Sequence, residues 1–363
     1  MPQRVGPIVR VLAAMCLLVC AASSVSAQEE DELTAKQRVF PGVGPGLRAV
    51  KRGADGRLYI LASPSPGLLV FDAQGKQVLS IGELPAANAS AKTGRPLITF
   101  GEDCDGSGDG KIYVADRGAN LVQVFSADGA LLRSIAVKAP VSVAALPEGE
   151  VAVGTLREPH LVIVFDKNGR DVREFGDPEP LAEREELNRY LNVGQLATDA
   201  LGHLYYAFAY LPEPTVRQYD RLGYAGQDIR YTAIEAFPAA QAARKEILRQ
   251  ERRGDQPSFK RILTAIGVDR TNGEVWIALN NNLQHFDKEG NRRATYKIYT
   301  PQGARLEAST ILVEQDRLII GSDPLGIYEF DRPDKKIGKR ASFPQANLRV
   351  SCEKFTEHVK ICS

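Results

Sequence analysis

Apolar positions along the chain come in short runs set off by turn residues. Leu58-Tyr59-Ile60, Ile112-Tyr113-Val114, Val151-Ala152-Val153, Leu204-Tyr205-Tyr206, Val275-Trp276-Ile277 and Leu318-Ile319-Ile320 are rich in β-branched and aromatic residues. Each follows a turn signal: Asp55-Gly56, Asp109-Gly110, Glu148-Gly149, Leu201-Gly202, Asn272-Gly273 and Gln315-Asp316. Apolar run, turn and apolar run at this spacing predict β-hairpins.

A second signal recurs with the first. An aromatic residue closes the next apolar run and a turn follows it. The copies are Phe71-Asp72-Ala73-Gln74-Gly75, Phe125-Ser126-Ala127-Asp128-Gly129, Phe165-Asp166-Lys167-Asn168-Gly169, Tyr219-Asp220-Arg221-Leu222-Gly223, Phe286-Asp287-Lys288-Glu289-Gly290 and Phe330-Asp331-Arg332-Pro333-Asp334. Asp or Ser opens such a turn by accepting from its own backbone, and Gly closes it where φ is positive. From the second residue of the first turn to the aromatic is 13 to 17 residues in all six copies. One unit of four short antiparallel strands, repeated six times, is a propeller pattern. No helix alternates with the strands, which excludes a parallel α/β sheet.

The stretch Asp109-Gly110-Lys111-Ile112-Tyr113-Val114-Ala115-Asp116-Arg117-Gly118-Ala119-Asn120-Leu121-Val122-Gln123-Val124-Phe125 resembles an NHL repeat, and the other Phe-Asp-x-x-Gly turns fit the same pattern. The resemblance covers roughly residues 36 to 334. It implies an all-β chain, a six-bladed β-propeller of four-stranded antiparallel blades with short helical insertions on one face. Such propellers are commonly platforms for protein or ligand binding, and a minority of similar ones are lyases or lactonase-like hydrolases. Two segments could complete the last blade: Lys36 to Phe40, which matches the fourth-strand ending Arg173-Glu174-Phe175-Gly176, or Ile337 to Phe343. The first would pair the chain ends and remove an open edge.

The extra residues fall at 83–96, 178–191 and 233–261, all between a fourth strand and the next first strand. One face is therefore built up, and binding surfaces are carried on such loops. Within 233–261, Ala239 to Arg253 reads as a basic helix begun by Pro238 and ended by Gly254, with Ala240, Ala243 and Ile247 as a thin apolar stripe. Leu181 to Leu191 reads as a second, acidic helix that could pack on it. The basic helix is either a solvated rim element or a lid or contact for an anionic partner.

The ends change the picture of the compartment. Arg4 and Arg10, the apolar run Val11 to Ala22 and the small residues Val25-Ser26-Ala27 read as a secretory signal peptide over 1–27, cut before Gln28. The apolar run is too short to span a bilayer. The expected location is secreted or periplasmic, with 28–35 a linker and 335–363 a tail. In an oxidising compartment Cys352 and Cys362 are expected to pair, leaving Cys104 as a buried thiol. Lys plus Arg is 46 and Asp plus Glu is 45, which disfavours nucleic acid as a partner.

Chemistry is sparse. His160, His203, His285 and His358 do not converge in the predicted fold, which disfavours a zinc lyase. The first-strand starts facing the channel mouth are read as Arg48, Ile98, Ser142, Gln195, Thr264 and Thr310, with no carboxylate among them. Glu102, Asp199, Asp269 and Glu314 are placed at the other strand ends, as turn caps. Asn192 and Glu307 keep a calcium-assisted hydrolase open as the alternative. Asp103 to Asp109 lacks the twelfth-position Glu of a calcium loop and reads as a blade turn. The expectation is a binding module without catalysis and without a required cofactor, calcium in the channel being the alternative. A protein or peptide, or a small polar ligand, would be bound through Asp116, Arg117, Asn120, Arg157, Glu158, Tyr210, Asn280, Asn281 and Asp323.

Overall fold

In the computed structural model of the chain, residues 31–63, 67–82, 98–231, 237–254, 256–279 and 282–334 are described. The signal-peptide segment, the Cys352 and Cys362 pair and the Ile337 to Phe343 strand candidate lie outside them.

The apolar runs form the middle strands of six sheets, buried because a neighbouring blade covers each face. Strands β1 (Asp31–Thr34) and β2 (Gln37–Val39) come first, and their partners lie at the far end of the chain. Blade 1 holds β3 (Leu47–Arg52), β4 (Leu58–Ala62), β5 (Gly67–Phe71) and β6 (Gln77–Ile81). Blade 2 holds β7 (Gly101–Gly106), β8 (Ile112–Asp116), β9 (Leu121–Phe125) and β10 (Leu131–Ala136). Blade 3 holds β11 (Pro140–Ala145), β12 (Val151–Thr155), β13 (Val162–Phe165) and β14 (Asp171–Phe175). Helix α1 (Glu185–Leu191) precedes blade 4, which holds β15 (Gly194–Thr198), β16 (Leu204–Phe208), β17 (Thr215–Tyr219) and β18 (Ala225–Arg230). Helix α2 (Phe237–Arg253) precedes blade 5, with β19 (Leu263–Val268), β20 (Val275–Leu279), β21 (Asn282–Phe286) and β22 (Arg292–Tyr299). Blade 6 has β23 (Thr310–Val313), β24 (Arg317–Ser322) and β25 (Gly326–Asp331) from the C-terminal side.

The ring closes through β2, which pairs antiparallel with β25 in the register Gln37↔Glu329, Arg38↔Tyr328, Val39↔Ile327. Of the two sequence candidates, the N-terminal one therefore supplies this strand. Within the stretch read as a linker, β1 adds a fifth strand to blade 5, parallel to β22 with Asp31 opposite Tyr296. Inner strands β3, β7, β11, β15, β19 and β23 neighbour one another around the ring and line a channel. Apolar clusters fill each of the six interfaces between neighbouring blades. The aromatics of the repeated turn belong to them: Phe125, Phe286 and Phe330 are all buried.

The repeated turn works as its residues demand. Asp72 Oδ1 accepts from Gln74 N at 3.0 Å and Lys76 N at 2.8 Å, and Gly75 takes φ 79°. Asp166 and Gly169 repeat this in blade 3. On the opposite, built-up face the two helices pack together. Leu187, Leu191 and Ile247 share one buried cluster, and Glu251 accepts from Arg184 N at 2.8 Å. Helix α1 is shorter than the stretch read for it, starting at Glu185 rather than Leu181.

Candidate functional site at the channel mouth

The ends of the inner strands decide what faces the channel. In blades 1, 2, 3 and 5 the pairing of the first two strands slips by one residue near the start of the inner strand. The extra residue is Arg48, Glu102, Val141 and Thr264 respectively. A bulge of this kind leaves one residue out of the ladder and re-aims its side chain. Arg48, Glu102 and Val141 border a cavity of about 270 Å³ at the mouth on the built-up face. Gln195, Arg261, Ser309, Thr310 and Asp323 border it too.

Below this cavity the channel is crossed by a polar network. Lys51 Nζ donates to Asp103 Oδ2 at 2.8 Å and to the Val143 carbonyl at 3.0 Å. The same Asp103 oxygen accepts from Ser142 Oγ and from Val143 N. Ser142 Oγ accepts in turn from Leu196 N at 2.9 Å. Blades 1 to 4 are thus stitched together around one ammonium. Burial alone would lower the Lys51 pKa, but Asp103 and Asp105 outweigh it and hold the ammonium above its ordinary range. Lys51 also borders a smaller cavity of about 70 Å³ on the other side. It stands between the two as a plug, and as a charged group it is no nucleophile. Burial pushes the neighbouring Cys104 thiol well up, so this cysteine is an inert core residue.

At the mouth itself, Phe100 carries two guanidinium groups, with Arg48 Cζ at 5.0 Å and Arg117 Cζ at 5.1 Å from the ring centre. Arg117 Nε lies 2.9 Å from Glu102 Oε1, whereas Arg48 comes only to 4.0 Å of Oε2. Arg48 Nε is buried with no hydrogen-bond partner. Asp323 Oδ1 accepts from Gly46 N at 2.8 Å.

The residues singled out from the sequence divide. Arg117 and Asp323 sit at or beside the mouth. Asp116 does not belong with them: it is fully buried, and its carboxylate accepts from Thr99 N, Phe100 N, Ala119 N and the Gln123 amide. It shapes the loop that carries Phe100 and Arg117. Asn120 is likewise structural, in the left-handed region at φ 56° and accepting from Ala139 N. Tyr210 is buried and stacked on Tyr190 at 4.9 Å. Arg157 is exposed, and Glu158 faces Lys138 at 3.8 Å. Asn280 and Asn281 lie outside the described residues.

Three expectations need correction. Glu102 is at the mouth, not at the far strand end, because β7 starts at Gly101 rather than near Ile98. Ile98 instead packs in the core between blades 1 and 2. Glu314 is no turn cap but an ion-pair partner of Arg52 and Arg317. Asp199 does cap its turn, accepting from Leu201 N and His203 N. Asn192 is consumed in holding Glu179 and Asn188, and Glu307 is exposed. Arg48 and Gln195 were legible as strand starts but not as site residues. Arg261, at the end of an insert, carried no sequence signal.

Among the described residues, one group has metal-ligand types in reach of a common point: Glu274, His285 and Asp334. Arg332, itself 1% exposed, already fills this space. Its Nη2 donates to Glu274 Oε2 at 3.1 Å and to Asp334 Oδ2 at 2.6 Å, while Nη1 bonds Asp269. A guanidinium neutralises these acids, so the residues do not fit a cation.

No family model and no curated protein matches the chain. Solved structures do share its architecture. A streptogramin B lyase superposes with a TM-score of 0.51 at 12% identity, over 80% of this chain and 84% of that one. Virginiamycin B lyase from Staphylococcus aureus gives 0.48 at 12% identity over 83% and 89%, and hydrazine synthase from Kuenenia stuttgartiensis 0.49 at 11% over 80% and 96%. No helix among the described residues is long and apolar enough to cross a membrane. At such identities the likeness is one of fold: a six-bladed β-propeller.

Proposed function

We propose that this chain is an exported, NHL-like propeller acting as a binding module. It takes a peptide or a small polar ligand at the channel mouth of the built-up face. The observation that carries the reading is the cavity bordered by Arg48, Glu102, Gln195, Arg261 and Asp323. A concave site with a few polar groups converging beside an apolar wall of Val141, Val193 and Ala209 suits recognition. The groups beneath it, Lys51, Asp103 and Ser142, are spent on one another.

The second reading is a calcium-dependent hydrolase or lyase of the lactonase-like propeller kind. Its support is that Glu102 and Asp323 both border the mouth. Against it, Glu102 is ion-paired with Arg117, and Asp323 accepts a hydrogen bond from the Gly46 backbone N–H. The streptogramin B lyase that shares the architecture acts on streptogramin B by its name, and its likeness here is of fold.

The test is a thermal-shift screen of short peptides and polar metabolites against the wild type and Gln195→Trp, which fills the mouth. Compounds that stabilise only the wild type support binding at this site. A variant that keeps every stabilising compound removes the mouth from the reading. Calcium-dependent turnover of lactone or ester substrates would favour the enzyme.

A further inference from the structure

We propose that the ligand of this mouth carries a free carboxylate, received by Arg48 and Arg261. This rests on the binding reading above and narrows it. Arg48 is placed by the bulge of β3 and held over the Phe100 ring, its Cζ 5.0 Å from the ring centre. Its closest acid, Glu102, is turned to Arg117 at 2.9 Å and stays 4.0 Å from Arg48. Arg48 Nε is buried with no acceptor, while the side chain as a whole keeps 34% of its surface exposed and borders the mouth, so its outer donors are open to an arriving acceptor. Arg261 is half-buried on the same wall and makes no hydrogen bond or ion pair among the described residues. The Gln195 amide, also on this wall, is likewise unspent among them.

Charge and size define the ligand further. Arg48, Lys51 and Arg261 line the cavity together with Glu102, Asp103 and Asp323, and Arg117, which pairs with Glu102 from beside the mouth, brings the balance to one cation in excess. One negative charge balances that. A phosphate dianion would overshoot and meet two carboxylates. Guanidinium groups pair with carboxylates through a planar fork of donors, which gives geometry as well as charge. Val141, Val193 and Ala209 supply an apolar wall beside the cations. At about 270 Å³ the cavity is small for a ligand site, so it fits a short acid or the last one or two residues of a peptide.

Isothermal titration at low salt with N-acetyl-Ala-Ala, its C-terminal amide and propionate tests this. The free acid binds and the amide binds at least tenfold more weakly. Arg48→Gln and Arg261→Gln each weaken the acid tenfold or more and leave the amide unchanged. Arg170→Gln, on an exposed turn of the opposite face, changes nothing. If Arg48→Gln does not fold, Arg261→Gln and Arg48→Lys carry the comparison. Propionate binding as tightly as the peptide identifies a small acid as the source, and peptide binding alone identifies a chain end. Acid and amide binding alike, both lost in Gln195→Trp, overturn the carboxylate and leave the binding module standing. Failure of all three probes to bind the wild type also overturns the carboxylate, while the binding reading then stands or falls by its own screen.

Discussion

Lys51 Nζ and Asp103 Oδ2 meet at 2.8 Å in the middle of the channel, joining blade 1 to blade 2. The carboxylate is also the acceptor for Ser142 and Val143 N of blade 3, so the pair is a hub rather than a bridge. Removing one member leaves the other charged, buried and unpaired, which typically costs about 3–5 kcal/mol. Lys51→Met is expected to lose stability on that scale in urea unfolding. Lys51→Met with Asp103→Asn is expected to lose clearly less than the two single losses added. Additive losses would show that the two residues act independently.

Arg332 is a second hub, at the junction of blades 5 and 6. Its guanidinium is the common donor to Asp269, Glu274 and Asp334. Arg332→Met strands three acids close together, and a loss of about 3–5 kcal/mol in urea unfolding follows. A variant as stable as the wild type would mean that water already solvates these carboxylates.

His285 gives the fold a pH dependence. The ring stacks on Trp276 at 4.0 Å, and burial lowers its pKa, with Glu274 pulling the other way. The unfolded chain protonates this histidine below about pH 6.5 while the fold keeps it neutral. The contribution is therefore whole above that pH and is lost as pH falls through the lowered folded value. The wild-type urea midpoint is expected to fall between about pH 7.5 and 5.5, and His285→Phe, which keeps the stack, to fall less over the same range. Equal slopes would exclude His285 as the source.

Closure by β2 makes stability depend on residues far from blade 6 in sequence. Deleting residues up to 40 exposes the edge of β25 and removes the register from Gln37 to Val39. Net backbone bonds of about 1 kcal/mol each put the loss at roughly 3 kcal/mol or more. An open edge also invites pairing between molecules. The truncated chain is expected to unfold earlier and to self-associate in light scattering. A monomer with unchanged midpoint would show that the ring does not need this strand.

The two turn signals alone decide the blades, because a turn that needs Asp at one place and positive φ three residues on is local chemistry. Asp72 with Gly75 and Asp166 with Gly169 show it directly. The built-up face and the basic helix were legible for the same reason. The mouth was not. Asp116 reads as an exposed loop acid, yet four donors fold around it. Glu102 reads as a turn cap, yet a one-residue slip in pairing aims it into the channel. Strand register is set by how two strands align across the blade, and one residue of slip exchanges inside for outside. The sequence by itself determined a ring of six units and which loops crown it. Only the tertiary structure decided which side chains meet at its centre, because the contacts joining Lys51, Asp103, Ser142 and Leu196 span blades that the chain visits one after another.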